Sequence, residues 1–173
     1  MIRLINREKI KDTMEYKTRY ANKKDDKNLK DFWEEGKKKG FFKYNGDNKI
    51  LSESWNNKNN SYMIIAINDK RKIIGLCVVI GREEGRMKHR VELGWLVHPD
   101  HARKGIATRM LKEVIRRIKK DKIKRAEAEI AIKNTASIKL VKKFGFIKES
   151  KREKGLTLDN GKYIDTYLYK KIF

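Results

Sequence analysis

Val91, Leu93, Trp95 and Val97 alternate with Glu92, Gly94 and Leu96, the period-two pattern of a strand that buries one face. Pro99 cannot donate a ladder hydrogen bond and ends that strand. Seven residues later the period changes: Ile106, Met110, Leu111, Val114, Ile115 and Ile118 fall on one stripe of a helix that runs to about residue 120. The same reading gives a strand over 14–20, then a helix carrying Leu29, Phe32 and Trp33, capped by Asp25 or Asp26 and stopped at Gly36. Residues 61–67 and 72–80 read as an antiparallel hairpin joined by Asn68-Asp69-Lys70-Arg71. Alternating Ala126, Ala128, Ile130 and Ile132 predict a strand over 124–132. Asn134 caps a short helix with Ile138, Leu140, Val141 and Phe144, ended by Gly145. Strands over 146–151 and 162–172, turned near Asp159-Asn160-Gly161, close the chain. Residues 1–12 fit either a short strand or a helical lead-in. The polar stretch 36–60 admits a short helix over 48–55, broken by the asparagines that follow.

The order β-α-(α)-β-β-β-α-β-α-β-β describes an α/β chain with a mixed sheet of about seven strands, mostly antiparallel, flanked by about four helices. One strand, crossing helix, strand unit in the middle requires a parallel pair. The 173 residues suit one domain, 1–173, able to bury about two thirds of its unfolded surface.

Charge adds a second layer. Lys and Arg number 45 against 23 Asp and Glu, a formal +22 spread along the whole length. That spread describes a basic surface more than a discrete nucleic-acid-binding arm, and it favours anionic partners: cofactor phosphates, RNA or ribosomes. A lysine-rich composition unconnected with function is the competing explanation. Cys77 is the single cysteine, which excludes an internal disulfide and suits a reducing, cytoplasmic compartment. The apolar runs are too short for a membrane span, and no signal peptide is expected. Three histidines and one cysteine form no ligand cluster, so no metal is expected.

Between the central strand and helix lies His101-Ala102-Arg103-Lys104-Gly105-Ile106-Ala107. A helix start presents free backbone N–H groups and the positive end of a dipole. Behind two cations and a glycine it becomes a seat for phosphate. An ordinary strand-to-helix turn with solvated lysines remains the plainer alternative.

The run from Arg90 to Leu111 resembles the acetyl-CoA-binding core of the GNAT superfamily of N-acetyltransferases, whose loop motif is Gln/Arg-x-x-Gly-x-Gly/Ala. Gly105 and Ala107 stand at the last two positions; Ala102 stands at the first, with Arg103 next. Downstream, Asn134-Thr135-Ala136-Ser137, Lys142-Lys143-Phe144-Gly145-Phe146, Gly161 and Asp165 resemble the branch that includes ribosomal-protein N-terminal acetyltransferases of the RimJ/RimL type. The clear likeness covers residues 90–169.

The resemblance implies a GNAT-like fold and transfer of acetyl from acetyl-CoA to a primary amine, by direct attack in a ternary complex. The acceptor would be a protein N-terminus or a small amine, and a homodimer is among the assemblies compatible with the family. Arg103, Lys104, Gly105, Ile106, Ala107 and Thr108 would hold the CoA pyrophosphate, Leu96 and Val97 would pair through main-chain groups with pantetheine, and Asn134 would hydrogen-bond that arm. Glu92 would serve as the base, with pairing to Arg90 or a neighbouring lysine as the alternative role. Glu127 and Glu129 stand second, and His98 and His101 below them. The position where many relatives carry a tyrosine acid is Val141, which leaves Ser137 to steady the leaving thiolate. Cys77, in an apolar run, reads as core. The aromatic residues between 36 and 60 are candidate substrate walls or core. A different class of function, a basic RNA- or ribosome-binding module on the same fold with weak or no catalysis, competes with the enzyme.

Overall fold

The computed structural model describes residues 16–40, 60–81, 85–158 and 160–173. Seven strands are joined in one sheet: β1 (Tyr16–Tyr20), β2 (Tyr62–Asn68), β3 (Ile73–Gly81), β4 (Arg90–Val97), β5 (Arg125–Ala131), β6 (Ile147–Thr157) and β7 (Tyr163–Ile172). Their spatial order is β1-β2-β3-β4-β5-β7-β6, and every pairing is antiparallel except β4 with β5. Three α-helices lie among the described residues: α1 (Asp26–Lys38), α2 (Ile106–Lys120) and α3 (Thr135–Lys143). The mixed architecture and its single parallel pair follow the sequence expectation. The helix expected over 48–55 and residues 1–15 lie outside the described residues.

Two apolar layers clasp the sheet. On one side Ile106, Met110, Leu111, Val114 and Ile118 of α2, with Val141 of α3, pack on Val79, Val91, Leu93, Ala126 and Ala128. On the other, Leu29, Phe32 and Trp33 of α1 pack on Met63, Ile65, Leu76 and Val78. Alternation along β2 and β3 assigns neighbouring residues to opposite layers, so a register slip of one residue would exchange both cores. Gly75 sets how closely α2 approaches: a Cβ there would lie 3.1 Å from both Ile106 Cγ2 and Leu96 O. The start of α2 is thus pressed onto β3 beside the end of β4.

Two local expectations are corrected and one is sharpened. Asp25 stands at the N-cap of α1, one of the two positions expected, but makes no side-chain cap bond; Asn22 caps the short 3-10 turn before it, its Oδ1 accepting from the Lys24 N–H at 3.0 Å. Asp25 is instead buried against Arg19 (2.6 Å) and accepts the Asn22 N–H, contacts that hold its carboxyl below the usual range, the Arg19 bond most of all. Gly36 does not stop α1, which continues through it to Lys38, with cations in the last turn favourable to the helix dipole. Finally, β6 extends to Thr157, past the expected 151. It is an exposed edge strand with two register shifts, and its charged sequence carries no alternation to mark its length.

Candidate active site

The parallel ladder between β4 and β5 contains three pairs, Arg90↔Arg125, Val91↔Ala126 and Glu92↔Glu127. Beyond Glu92, β4 continues to Val97 and stays paired with β3, while β5 continues to Ala131 paired with β7. The two strands therefore part at Glu92 and leave a wedge. The His98 N–H donates to Ile74 O at 2.8 Å, and Leu96 stands opposite Leu76. Main-chain direction alternates along a strand, so Leu96 turns its N–H and C=O toward β3, whereas Trp95 and Val97 turn theirs into the wedge. The sequence marks Trp95 only as one of the alternating apolar positions, because the facing of its main chain depends on register.

At the wide end of the wedge sits the loop before α2. A 3-10 turn over Pro99–His101 is tied by the Ala102 N–H to Pro99 O, and the His98 Nδ1 accepts from the Asp100 N–H at 3.2 Å. Arg103 (φ 61°) and Gly105 (φ 78°) are then both left-handed. A left-handed residue followed by the right-handed start of a helix gathers successive N–H groups into a concavity suited to anions. The Arg109 N–H makes the first intrahelical bond, to Gly105 O, so Ile106, Ala107 and Thr108 present N–H groups without an acceptor inside the helix. A Cβ built on Gly105 meets only Tyr16 Oη, at 4.0 Å. The requirement for glycine there is one of backbone conformation rather than of space.

Asn134 caps α3: its Oδ1 accepts the Ser137 N–H at 3.1 Å. That bond engages the amide oxygen and leaves the NH₂ as the donating end of the side chain. Ser137 is half-buried in the first turn of α3, and Val141 is fully buried in the core. No hydroxyl stands at position 141, and its surroundings are apolar.

Glu92, at the apex of the wedge, is on the sheet face opposite Val91 and Leu93, with Gly94, Glu127 and Glu129. These residues line a cavity of about 260 Å³, with Val78, Ile80 and Leu168 as apolar walls and Arg152 from β6. Glu127 and Glu129 are engaged by guanidinium groups. Glu127 is 4% exposed, with Arg125 Nε at 2.5 Å and Arg90 Nη2 at 3.5 Å. Glu129 accepts from the Thr166 hydroxyl at 2.5 Å and from Arg152 at 2.5 Å. Arg152 and Thr166 escaped the sequence reading, because only the β5-β7-β6 order brings them to Glu129. His98 is mostly buried, its Nε2 lying 3.6 Å from Glu35 of α1, and so it is bound up with the α1 packing. His101 stacks edge-on against it at 5.8 Å.

Burial pushes the Cys77 thiol up to about 12. Native protein at pH 8 is expected to resist iodoacetamide, with alkylation appearing only on unfolding; mass spectrometry of the two states checks this. Among the described residues no His, Cys, Asp and Glu are grouped to hold a metal, and no helix is long and apolar enough to cross a membrane.

The acetyltransferase (GNAT) domain model matches residues 6–147. Comparison with curated proteins gives no match. An acetyltransferase of the GNAT family from Streptococcus pneumoniae superposes with a TM-score of 0.80 at 23% identity, over 92% of this chain and all of that one. Ribosomal-protein-S5-alanine acetyltransferase from Vibrio fischeri gives 0.78 at 20% identity, over 91% of this chain and 93% of its own. A third, yncA from Salmonella typhimurium, solved with its cofactor acetyl-CoA, gives 0.76 at 18% identity, over 91% and 94%. At these identities the structural likeness establishes the fold.

Proposed function

The chain belongs to the GNAT acetyltransferase family, and from that premise we propose that it binds acetyl-CoA in the β4–β5 wedge and passes the acetyl group to a primary amine held against Glu92. The observation that carries this reading is the parting of β4 and β5 after Glu92, with a left-handed Gly105 opening the helix that follows β4 and an Asn134 cap opening the helix that follows β5.

These residues fit the cofactor. Backbone N–H groups over 105–108, with Arg103 and Lys104 beside them, would take the pyrophosphate. Trp95 and Val97 would pair with the pantetheine arm as an added strand does, and Leu96 would support them by its bond to β3. Asn134 would donate to an amide carbonyl of that arm. Acetyl-CoA supplies an activated acyl group on a thiol leaving group.

An amine arrives mainly as ammonium, with a pKa near 8 for an α-amine and about 10.4 for lysine. Glu92 removes that proton, directly or through a water. Wedge-facing N–H groups of β4 stabilise negative charge on the carbonyl oxygen. The Ser137 hydroxyl donates to the departing sulfur. Cys77, buried and protonated, takes no part, so transfer is direct.

For the acceptor, the Asn134-to-Asp165 pattern resembling RimJ/RimL enzymes supports a protein N-terminus, and the Vibrio fischeri structure of related fold bears the name of such an enzyme. A small amine fits the same cavity chemistry. Thermal unfolding tests the cofactor site: acetyl-CoA at 100 times its Kd is expected to stabilise the fold by about 2.7 kcal/mol. No shift at millimolar acetyl-CoA would leave the non-catalytic binding module as the better reading.

A further inference from the structure

The excess positive charge is unevenly compensated. On the acceptor side of the sheet the cations are paired: Arg125 with Glu127 and Glu149, Arg152 with Glu129, and Lys170 with Glu149; on the other face Lys151 of β6 is paired with Asp165. Helix α2 is different. Its one carboxylate, Glu113, accepts from Thr18 at 2.5 Å and lies 3.7 Å from Arg109, which itself bonds Thr18. Arg117 is taken by Asp121. That leaves Lys112, Arg116, Lys119 and Lys120, all exposed, and among the described residues no carboxylate lies within ion-pair distance of them. At 100° per residue these four fall within one arc of about 100° on the face turned away from the sheet, along roughly 12 Å of axis. A groove of about 410 Å³ follows Arg109 to Arg116. Past the helix end, Lys119, Lys122, Lys124 and Lys171 surround a second hollow of about 360 Å³. The helix dipole accounts for cations in the last turn, but not for Lys112 or Arg116.

We propose that this outer face of α2, continued by Lys122, Lys124 and Lys171, binds the phosphodiester backbone of a double-helical nucleic acid without regard to sequence. Closely spaced cations on a straight edge match a run of phosphates. A protein partner fits less well, because protein interfaces are depleted of lysine and need an apolar centre, which the outer positions of α2 lack. The outer positions of α2 carry no aromatic side chain, and Phe173, which borders the second hollow, already lies under Lys171, so the helix face favours duplex over unstacked single strands. It lies on the side of the sheet opposite the Glu92 cavity, so a bound nucleic acid leaves the acceptor side open. The inference is independent of acetyl transfer.

The test compares two triple variants of equal charge change. Lys112→Gln/Arg116→Gln/Lys119→Gln alters the α2 face; Lys148→Gln/Lys151→Gln/Lys154→Gln alters the exposed edge strand β6. Fluorescence anisotropy with duplex RNA, duplex DNA and polyglutamate is followed across salt, and circular dichroism confirms that each variant is folded. The α2 triple is expected to lose at least about tenfold in duplex affinity at low salt and to flatten the log–log salt slope by two to three. The β6 triple should change affinity by less than about threefold. Binding of either duplex supports the proposal, and the tighter of the two names the natural source. Equal losses from both triples, no loss from the α2 triple, or polyglutamate binding as tight as either duplex would overturn it.

Discussion

Replacing Glu92 by glutamine is expected to lower kcat on the order of 10²–10³-fold near neutral pH while leaving acetyl-CoA affinity within about twofold. The reasoning is positional. Glu92 is the last β4 residue in register with β5, so its side chain stands where the strands part, on the face where α1 and the acceptor cavity lie. Glutamine keeps size and polarity but cannot accept a proton. Because the base only has to deprotonate an ammonium, the deficit should shrink as pH rises toward the amine's own pKa, where solvent does the work. Steady-state kinetics across pH, with acetyl-CoA affinity measured separately by calorimetry, read both quantities. A pH-independent deficit accompanied by an equal loss of cofactor affinity would make Glu92 a structural residue.

The second large effect is at Gly105. Asp at this position is expected to weaken acetyl-CoA binding by about 100-fold, a loss of roughly 2.7 kcal/mol, and to abolish thermal stabilisation at moderate cofactor concentrations. Two causes combine. A φ of 78° costs an L-residue roughly 1–2 kcal/mol, and a carboxylate at the helix start opposes phosphate. Alanine separates them. The space around Gly105 is open, so Gly105→Ala should lower stability by about 1 kcal/mol yet retain most cofactor affinity. Equal affinity losses in the two variants would assign the effect to backbone strain alone and remove the anion seat from the site.

The central β4-α2-β5 unit was readable because its period changes from two to 3.6 between Pro99 and Ile106, and because a crossing helix forces a parallel pair. Gly105, Asn134 and the Glu92 face were legible for the same reason: each sits at a fixed offset from a change of period. What remained hidden depends on distant pairing. Glu129 is bonded by Thr166 and Arg152, residues brought to it only by β7 and β6 lying in that order beside β5. Which of Leu96 and Val97 faces the wedge follows from the register with β3, and composition carries no trace of it. At the first helix Asp25 stands at the N-cap, but its carboxylate is buried against Arg19 and accepts the Asn22 N–H, so it makes no side-chain cap bond, and nothing local in the sequence marks that. The β6 strand has no buried face, so its eleven residues show no alternation to read.

Transfer itself is the most direct measurement. Wild-type protein incubated with acetyl-labelled acetyl-CoA, alone and with a panel of N-terminal peptides, polyamines and aminoglycosides, should place label on an amine only when the acceptor is present. One thiol should be released per acetyl transferred, and none of the label should remain on the protein. Label held covalently by the protein, or no labelled amine across the panel, would contradict direct transfer from the β4–β5 wedge.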